Sequence, residues 1–167
     1  IDRSSYNVIG PGNWIAYNDG PGVMFWEDNS GNTVTENSIR DNGESPTNSD
    51  ATSQASIPFP VIFNFDLNTG SLAGVACYGC VVEVFSDGGD EGEKFEGRVV
   101  AGDNGVFELK ILSALIGPHI TATATDLNGT TSGFSRPTTG TRRSLGLQAG
   151  NNEPLLIELS ALLYKCD

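Results

Sequence analysis

The feature that most constrains the fold of this chain is an internal repeat near its start. Residues 13–18 (Asn-Trp-Ile-Ala-Tyr-Asn) align with residues 37–42 (Asn-Ser-Ile-Arg-Asp-Asn) at an offset of 24, and residues 7–9 align with residues 32–34 at an offset of 25. Short β-type segments that recur every ~20–25 residues and end in Asn or Gly are typical of the coils of a parallel β-solenoid. The repeat therefore predicts a short parallel β-helix of about two coils over residues 1–45.

In this interpretation, the apolar residues of each coil point inward and stack on those of the next coil. Ile9 and Ile15 would stack on Val34 and Ile39 in this way. The turn asparagines tolerate left-handed backbone geometry and hydrogen-bond to each other along the stack. Two ordinary hairpins with Asn turns are the alternative interpretation, and the sequence leaves both open.

The second half of the chain has the pattern of an all-β domain. After a linker over residues 46–57, residues 58–136 alternate apolar and polar positions, as at Phe107 and Leu109. Turn sequences such as Asp-Asn-Gly at 103–105 separate the apolar runs and indicate hairpins. Such a series of short strands predicts an immunoglobulin-like β-sandwich. The predicted strands cover residues 59–65, 71–77, 80–86, 95–101, 106–111, 119–125 and 131–136.

Residues 137–167 form a tail that contains the most apolar segment of the protein, residues 154–164. We interpret this segment as a C-terminal β-strand, although its periodicity also fits a short helix. In water such a strand would be prone to aggregation, so the protein itself or a neighbouring molecule has to cover it. In the strand interpretation one face carries Leu155, Ile157, Leu159 and Leu163.

The charge of the chain excludes some partners. Its 167 residues include 9 Lys and Arg against 21 Asp and Glu, which gives a formal net charge of −12. A surface of this sign repels a phosphate backbone, so we expect no nucleic-acid partner. No segment reaches the roughly 18 consecutive apolar residues of a membrane-spanning helix, so we also expect no membrane span.

The cysteines indicate an oxidising compartment. Cys77 and Cys80 stand in a Cys-Tyr-Gly-Cys run, which we interpret as a local disulfide. A redox centre normally opens a helix, whereas Cys80 leads into a strand-like run. A zinc site needs four ligands, for which the sequence offers Cys166 and His119 besides this pair. Both remain alternatives, and Cys166 is left for a free thiol or an intermolecular bridge.

Four acidic residues in one predicted hairpin loop form a candidate cation site. Asp87, Asp90, Glu91 and Glu93 supply the carboxylate oxygens that Ca²⁺ prefers. The alternative is a solvated acidic hairpin in which Asp87 bonds to the amides of its own turn. Calcium is the only cofactor that the sequence indicates.

Aromatic residues in the repeat offer a surface for sugar rings. Trp14 and Trp26 are candidates for stacking on a polysaccharide, with packing inside the coil as the alternative. The repeat has only Arg3 and Arg40 as basic residues, which gives a polysaccharide lyase little with which to abstract a proton, so we expect no enzymatic activity. Asn128 begins the glycosylation sequence Asn-Gly-Thr on a predicted turn.

These segments resemble a known family. Residues 7–10, 12–15 and 37–43 resemble the coil consensus of secreted bacterial right-handed parallel β-helix repeat proteins. A second group of segments resembles the immunoglobulin-like domain that often follows the last coil in that family. The resemblance implies an exported, extracellular or cell-surface protein whose modules mostly scaffold or adhere. The second group consists of residues 77–87, 90–92, 120–126 and 128–135.

A two-coil solenoid leaves one end of its core bare, because a coil is covered only by its neighbours and about three units are needed for stability. The chain starts at Ile1 without a signal sequence, so we expect either a processed mature protein or a fragment. We therefore predict an extracellular structural subunit that assembles head-to-tail with copies of itself into a filament or surface layer, through Ile9, Ile15 and the apolar face of the tail. The alternative is a carbohydrate-binding or adhesive terminal module of a larger β-helix protein.

Overall fold

The computed structural model describes residues 4–25, 30–43 and 57–142, and these residues form short β-strands and no helix. The prediction of an all-β protein is therefore confirmed. Most of the predicted linker and the predicted C-terminal strand lie outside the described residues. The strands are β1 (Val8–Ile9), β2 (Trp14–Ala16), β3 (Thr33–Val34), β4 (Ser38–Arg40), β5 (Val61–Asp66), β6 (Ser71–Val75), β7 (Val81–Asp87), β8 (Lys94–Val100), β9 (Val106–Lys110), β10 (His119–Thr125) and β11 (Thr138–Thr139).

The strands β5 to β11 form two antiparallel sheets that pack face to face. One sheet has the order β5-β6-β9 and the other the order β11-β10-β7-β8. Alternation along each strand sends every second side chain into the shared core. There Leu72 and Phe107 of the first sheet lie with Val82, Val84 and Ile120 of the second, all of them 2% exposed or less. The arrangement of these sheets is that of a sandwich.

The strand predicted at residues 131–136 is absent, whereas the other predicted strands of this region are present with small shifts at their ends. The hydroxyls of Ser132 and Ser135 accept N–H groups of β10 at 2.9 and 3.0 Å. These hydroxyls take the place of main-chain carbonyls, so the segment bulges away from regular pairing and turns Phe134 into a buried position. Regular pairing with β10 resumes at β11, beyond residue 136.

The repeat region contributes two short parallel ladders, between a first repeat (residues 4–25) and a second repeat (residues 30–43). β1 pairs with β3 in the register Val8↔Thr33, and β2 pairs with β4 in the register Trp14↔Ser38. These registers equal the offsets of 25 and 24 residues in the sequence repeat. Segments that are alike in sequence therefore lie side by side.

The four-stranded sheet lies between the other sheet and the second repeat, so β7 and β10 are buried on both faces. On β7, Val82 and Val84 face the sandwich, whereas Phe85 faces the repeat. The ring of Phe85 packs edge to face on Phe95 and Phe134, with centroids 5.8 and 5.5 Å away. A second core thereby joins the repeat to the sheet. Its buried members are Val23, Phe25, Val34, Ile39, Phe85 and Phe134.

Replacement of Phe85 tests the second core. Phe85→Ala is expected to lower the free energy of unfolding by about 3–5 kcal/mol, because it removes a buried ring and leaves a cavity between sheet and repeat. Denaturant unfolding of the whole chain measures this change.

The matched control is Tyr78→Ala, since the Tyr78 side chain is 64% exposed. This control is expected to change the free energy of unfolding by no more than about 0.5 kcal/mol. A loss no larger than the control's for Phe85→Ala would contradict a packed interface between repeat and sheet.

Candidate functional site: the capped and open ends of the repeat

The corners of both repeats share one local structure, a residue with left-handed backbone followed by an asparagine. The φ angles of the residues before the asparagines lie between 48° and 83°. The left-handed residue is therefore the one before each asparagine, since none of these asparagines has a positive φ. The preceding residue reverses the chain, and this turns the N–H and the amide of the asparagine toward the neighbouring repeat. The corners are Tyr6-Asn7, Gly12-Asn13, Tyr17-Asn18, Gly31-Asn32, Glu36-Asn37 and Asp41-Asn42.

The asparagines of the two repeats form a hydrogen-bonded ladder. In the middle pair, Oδ1 of Asn37 accepts from Nδ2 of Asn13 at 3.0 Å and from its main-chain N–H at 3.2 Å. Nδ2 of Asn37 donates in turn to the carbonyl of Ile9 at 2.8 Å. One side chain thereby satisfies polar groups of the repeat above it. The same pattern recurs in the pairs Asn7–Asn32 and Asn18–Asn42.

The loop between β7 and β8 of the four-stranded sheet continues this ladder beneath the second repeat with the side chain of Glu91. The carboxylate of Glu91 accepts from Nδ2 of Asn42 at 3.0 Å and from its main-chain N–H at 3.1 Å. In the same way, Oδ1 of Asn42 accepts hydrogen bonds from Nδ2 and from the main-chain N–H of Asn18. Glu91 thus occupies the place that the asparagine of a third repeat would take.

Glu83 of β7 caps the neighbouring corner. Its carboxylate accepts from the N–H of Glu36 at 2.9 Å and from the hydroxyl of Thr35 at 2.6 Å. In the first repeat, the corresponding N–H of Gly12 donates to the carbonyl of Glu36 at 2.9 Å. A carboxylate of the sheet therefore replaces a main-chain carbonyl of a further repeat.

Two threonines that follow β10 cap the remaining corner. Oγ1 of Thr130 accepts from the N–H of Gly31, and Oγ1 of Thr131 accepts from the N–H of Val34, each at 3.0 Å. Both threonines are buried. The sheet thus supplies from its side chains the acceptors that one more repeat would supply, and the second repeat ends without orphaned donors at these positions.

Burial makes both capping glutamates hard to ionise. Glu83 is 2% exposed and Glu91 is 7% exposed. Loss of solvation is the main reason that the pKa of each carboxyl lies above its ordinary value. The hydrogen bonds from Thr35 and Glu36 favour the ionised form of Glu83 and oppose the effect of burial on its pKa.

The other face of the first repeat is the exposed end of the stack. Ile9 and Ile15, both predicted assembly residues, are half-buried there, whereas their counterparts Val34 and Ile39 are 6% and 3% exposed. The two repeats thus present equivalent residues to different surroundings. We call this exposed end, formed by β1 and β2, the open edge.

The open edge also carries polar groups that point away from the second repeat. The N–H of Thr33 donates upward to the first repeat at 2.8 Å. Val8 is the counterpart of Thr33 in the register, so its N–H points the same way, toward the open edge. Within the described residues, the side-chain carbonyls of Asn13 and Asn18 accept no hydrogen bond, although those of their counterparts in the second repeat do.

Trp14 lies on the outward face of β2 and is 69% exposed. The guanidinium carbon of Arg40 is 4.9 Å from the centroid of the Trp14 ring and 5.2 Å from that of the Tyr17 ring. Arg40 also donates to the hydroxyl of Tyr17 at 2.9 Å. Trp26, the second predicted stacking residue, lies outside the described residues.

The residues of the predicted calcium site make contacts with different parts of the protein. Asp87 accepts N–H groups of its own loop, Glu91 turns to the second repeat, and Glu93 pairs with Arg40 at 3.4 Å. In the part of the chain that the structure describes, no three His, Cys, Asp or Glu side chains are grouped so as to hold a metal ion. Calcium binding at Asp87, Asp90, Glu91 and Glu93 stays a prediction.

Cys77 and Cys80 form the predicted disulfide, with their Cα atoms 5.4 Å apart. Asn128 is exposed in a turn in which Asp126 accepts its main-chain N–H at 2.9 Å. Glycosylation of Asn128 stays a prediction. The remaining predicted assembly residues lie outside the described residues, namely Leu155, Ile157, Leu159 and Leu163.

Sequence reasoning missed the capping role of Glu83, Thr130 and Thr131. A signal was present on the sheet, because β10 places polar residues at every second position. Such a pattern normally indicates a solvent-facing side. Here Thr121 and Thr123 of that side are buried against neighbouring segments, with 0% and 4% exposure.

The comparisons with known proteins give no family. No protein-family model and no curated protein matches the chain. A solved structure titled "Biofilm associated protein - BSP domain" is similar over 57% of this chain, with 20% identity and a TM-score of 0.44. This chain covers 16% of that one. A similarity of this strength carries no argument about function. In the described residues there is also no helix of the length and apolarity that a membrane crossing requires.

The pH dependence of the free energy of unfolding tests whether the pKa of Glu83 is raised in the folded protein. Because the pKa of Glu83 is raised in the folded protein, the folded state binds a proton at this carboxyl more tightly than the unfolded state does. The stability that this carboxyl contributes is therefore full below its unfolded pKa and is lost as the pH rises through the folded pKa. The free energy of unfolding of the wild type minus that of Glu83→Gln is expected to fall as the pH rises from about 4 toward neutrality.

Denaturant unfolding of both proteins at a series of pH values measures this difference. Glu108→Gln removes the same charge from an exposed position of β9 and serves as the control. Wild type and Glu83→Gln giving parallel curves would contradict a buried, proton-binding cap.

Proposed function

We propose that this protein is a non-enzymatic extracellular structural subunit whose open edge receives a β-strand from a second copy. In this proposal, the two repeats are coils of a right-handed parallel β-helix. The sandwich is the immunoglobulin-like domain that closes its lower end. Repetition of the contact builds a filament or a surface layer.

The observation that carries the proposal is the difference between the two ends of the repeat. The lower end meets Glu83, Glu91 and Thr130, which accept its main-chain donors. At the upper end, the residues equivalent to buried Val34 and Ile39 are half-exposed. An edge of β1 and β2 whose outward N–H groups have no partner among the described residues, and which has apolar neighbours, is a template for β-augmentation.

The chemistry of the open edge defines what can pair with it. The N–H of Val8 can donate to a partner strand, and the side-chain carbonyls of Asn13 and Asn18 can accept from one. A main-chain strand supplies both kinds of group at the spacing of a β-ladder. The apolar segment at 154–164 of another copy is the occupant that we propose, since it is the most apolar segment of the sequence and is long enough for a strand.

The geometry of such a contact favours open-ended growth. The open edge lies at one end of the molecule, and the surface that fills it belongs to a different part of the partner. A heterologous contact of this kind does not close on itself unless its rotation happens to form a ring. The Cys77–Cys80 disulfide supports a place outside the cytoplasm, where such bonds persist.

A second candidate function is a carbohydrate-binding or adhesive terminal module of a larger β-helix protein. The exposed indole of Trp14 favours it. In that case a preceding coil of the same polypeptide would cover the open edge, and the isolated chain would not polymerise through it.

Replacement of Val8 tests the assembly. Val8→Pro removes the N–H that points to the open edge and leaves the register with β3 in place, so it is expected to abolish self-association. Val8→Ala keeps this N–H and is the matched control, which is expected to associate as the wild type does. Sedimentation velocity and electron microscopy of the whole chain measure association.

The thermal midpoint of Val8→Pro, compared with that of Val8→Ala, shows whether the variant is folded. A wild type that stays monomeric at all attainable concentrations would overturn the proposal. A folded Val8→Pro variant that polymerises normally would do so as well.

A further inference from the structure

A groove of about 520 Å³ lies on the outward side of the repeat, next to the start of β8. Its floor is the outward face of β2 and β4. Its far wall is formed by Lys94, Phe95 and Ile116, which the sandwich contributes. The antiparallel bridge between Ile39 and Gly92 joins the two parts, with N–H···O distances of 2.9 Å in both directions. Two main-chain hydrogen bonds therefore join the two sides of the groove.

Trp14 provides an aromatic platform in this groove. One side of its ring is supported by the guanidinium of Arg40, at 4.9 Å from the ring centroid. Arg40 is itself held by Tyr17, Asp41 and Glu93. The indole is 69% exposed, so it offers much of its surface to a ligand. An aromatic ring that is already fixed loses little conformational entropy when a ligand stacks on it.

Polar groups that can bind hydroxyls surround the platform. Within the described residues, the hydroxyl of Ser38 has no hydrogen-bond partner. Glu93 bonds Arg40 through one carboxylate oxygen and leaves the other to the groove. Donors and acceptors at the rim of an aromatic face match a ring that is apolar on one side and hydroxylated at its edge.

The charges that line the groove cancel. Arg40 and Lys94 contribute two positive charges, and Glu36 and Glu93 contribute two negative ones. Each of them is engaged in an ion pair, at distances between 3.0 and 3.4 Å. A charged ligand would have to break these pairs, and the net charge of −12 repels an anionic one further. A neutral ligand meets neither obstacle.

We propose that this groove binds a neutral glycan, with a hexopyranose ring stacked on the exposed surface of Trp14 and its hydroxyls bonded to Ser38 and Glu93. This inference goes beyond the proposed assembly function. The groove lies on the outward face and not at the open edge, so a monomer can bind the glycan.

The test titrates three neutral hexasaccharides into the whole chain, namely cellohexaose, laminarihexaose and mannohexaose. ¹⁵N-resolved NMR follows the indole N–H of Trp14 and the amides of Asn13 and Ser38. At least one of the sugars is expected to shift these signals with a dissociation constant of about 1 mM, as a single stacked ring with few hydrogen bonds gives. Hexagalacturonate and the chitosan hexamer represent anionic and cationic glycans and are expected to bind at least tenfold more weakly.

Two variants assign the site. Trp14→Ala is expected to weaken binding of the same sugar by about tenfold or more. Ser38→Ala is expected to weaken it by about threefold, since a single neutral hydrogen bond is lost. Tyr78→Ala, an exposed aromatic residue of the disulfide turn, is the matched control and leaves the affinity unchanged.

The proposal is overturned if none of the neutral hexasaccharides shifts these signals at about 10 mM, which is tenfold above the expected constant. Equal or tighter binding of a charged hexamer overturns it too, and so does a folded Trp14→Ala variant with wild-type affinity. A preserved thermal midpoint shows that the variant is folded.

Discussion

The hydrogen bonds that join the four-stranded sheet to the second repeat are the interaction on which the rest of this structure depends. Strands of two or three residues are too short to be stable alone, and a repeat buries its core only against neighbours. Glu83 and Glu91 take the place of a further repeat, because their carboxylates accept hydrogen bonds from the corners of the second repeat. The sheet therefore stabilises the second repeat, and the asparagine ladder joins the second repeat to the first.

This arrangement explains why the sheet retains two glutamates whose burial is unfavourable. An apolar side chain could fill the same space, but it would leave the N–H groups of Glu36 and Asn42 buried without an acceptor. Such an unsatisfied donor costs about 1–3 kcal/mol. A carboxylate provides two acceptor oxygens at the end of a chain that is long enough to reach across the seam. Burial raises its pKa, and the hydrogen bonds that it accepts counteract that effect.

The same capping side chains make the two ends of the repeat different. One end of the repeat is closed by side chains of the sandwich, and the other end exposes β1 and β2. The proposed assembly uses this open end, whereas the proposed glycan binding uses the outward side, where Trp14 and Arg40 lie. The two proposed roles thus use different surfaces, and each can be true without the other.

The sequence by itself determined the all-β class, the disulfide and the register of the repeats. These depend on residues close in the chain, or on a spacing of 24 to 25 residues that the period of the repeat makes visible. Tertiary packing alone shows that the repeat covers one side of β7 and β10, that residues 131–136 bulge, and that Trp14 lies near Glu93. The packing of the sheet on the repeat rests on contacts between residues 47 to 99 positions apart, such as Glu36 with Glu83 and Gly31 with Thr130. A polar residue on a strand has the same local pattern whether water or a hydrogen-bonding neighbour covers it, so the choice between them is made only when the layers pack.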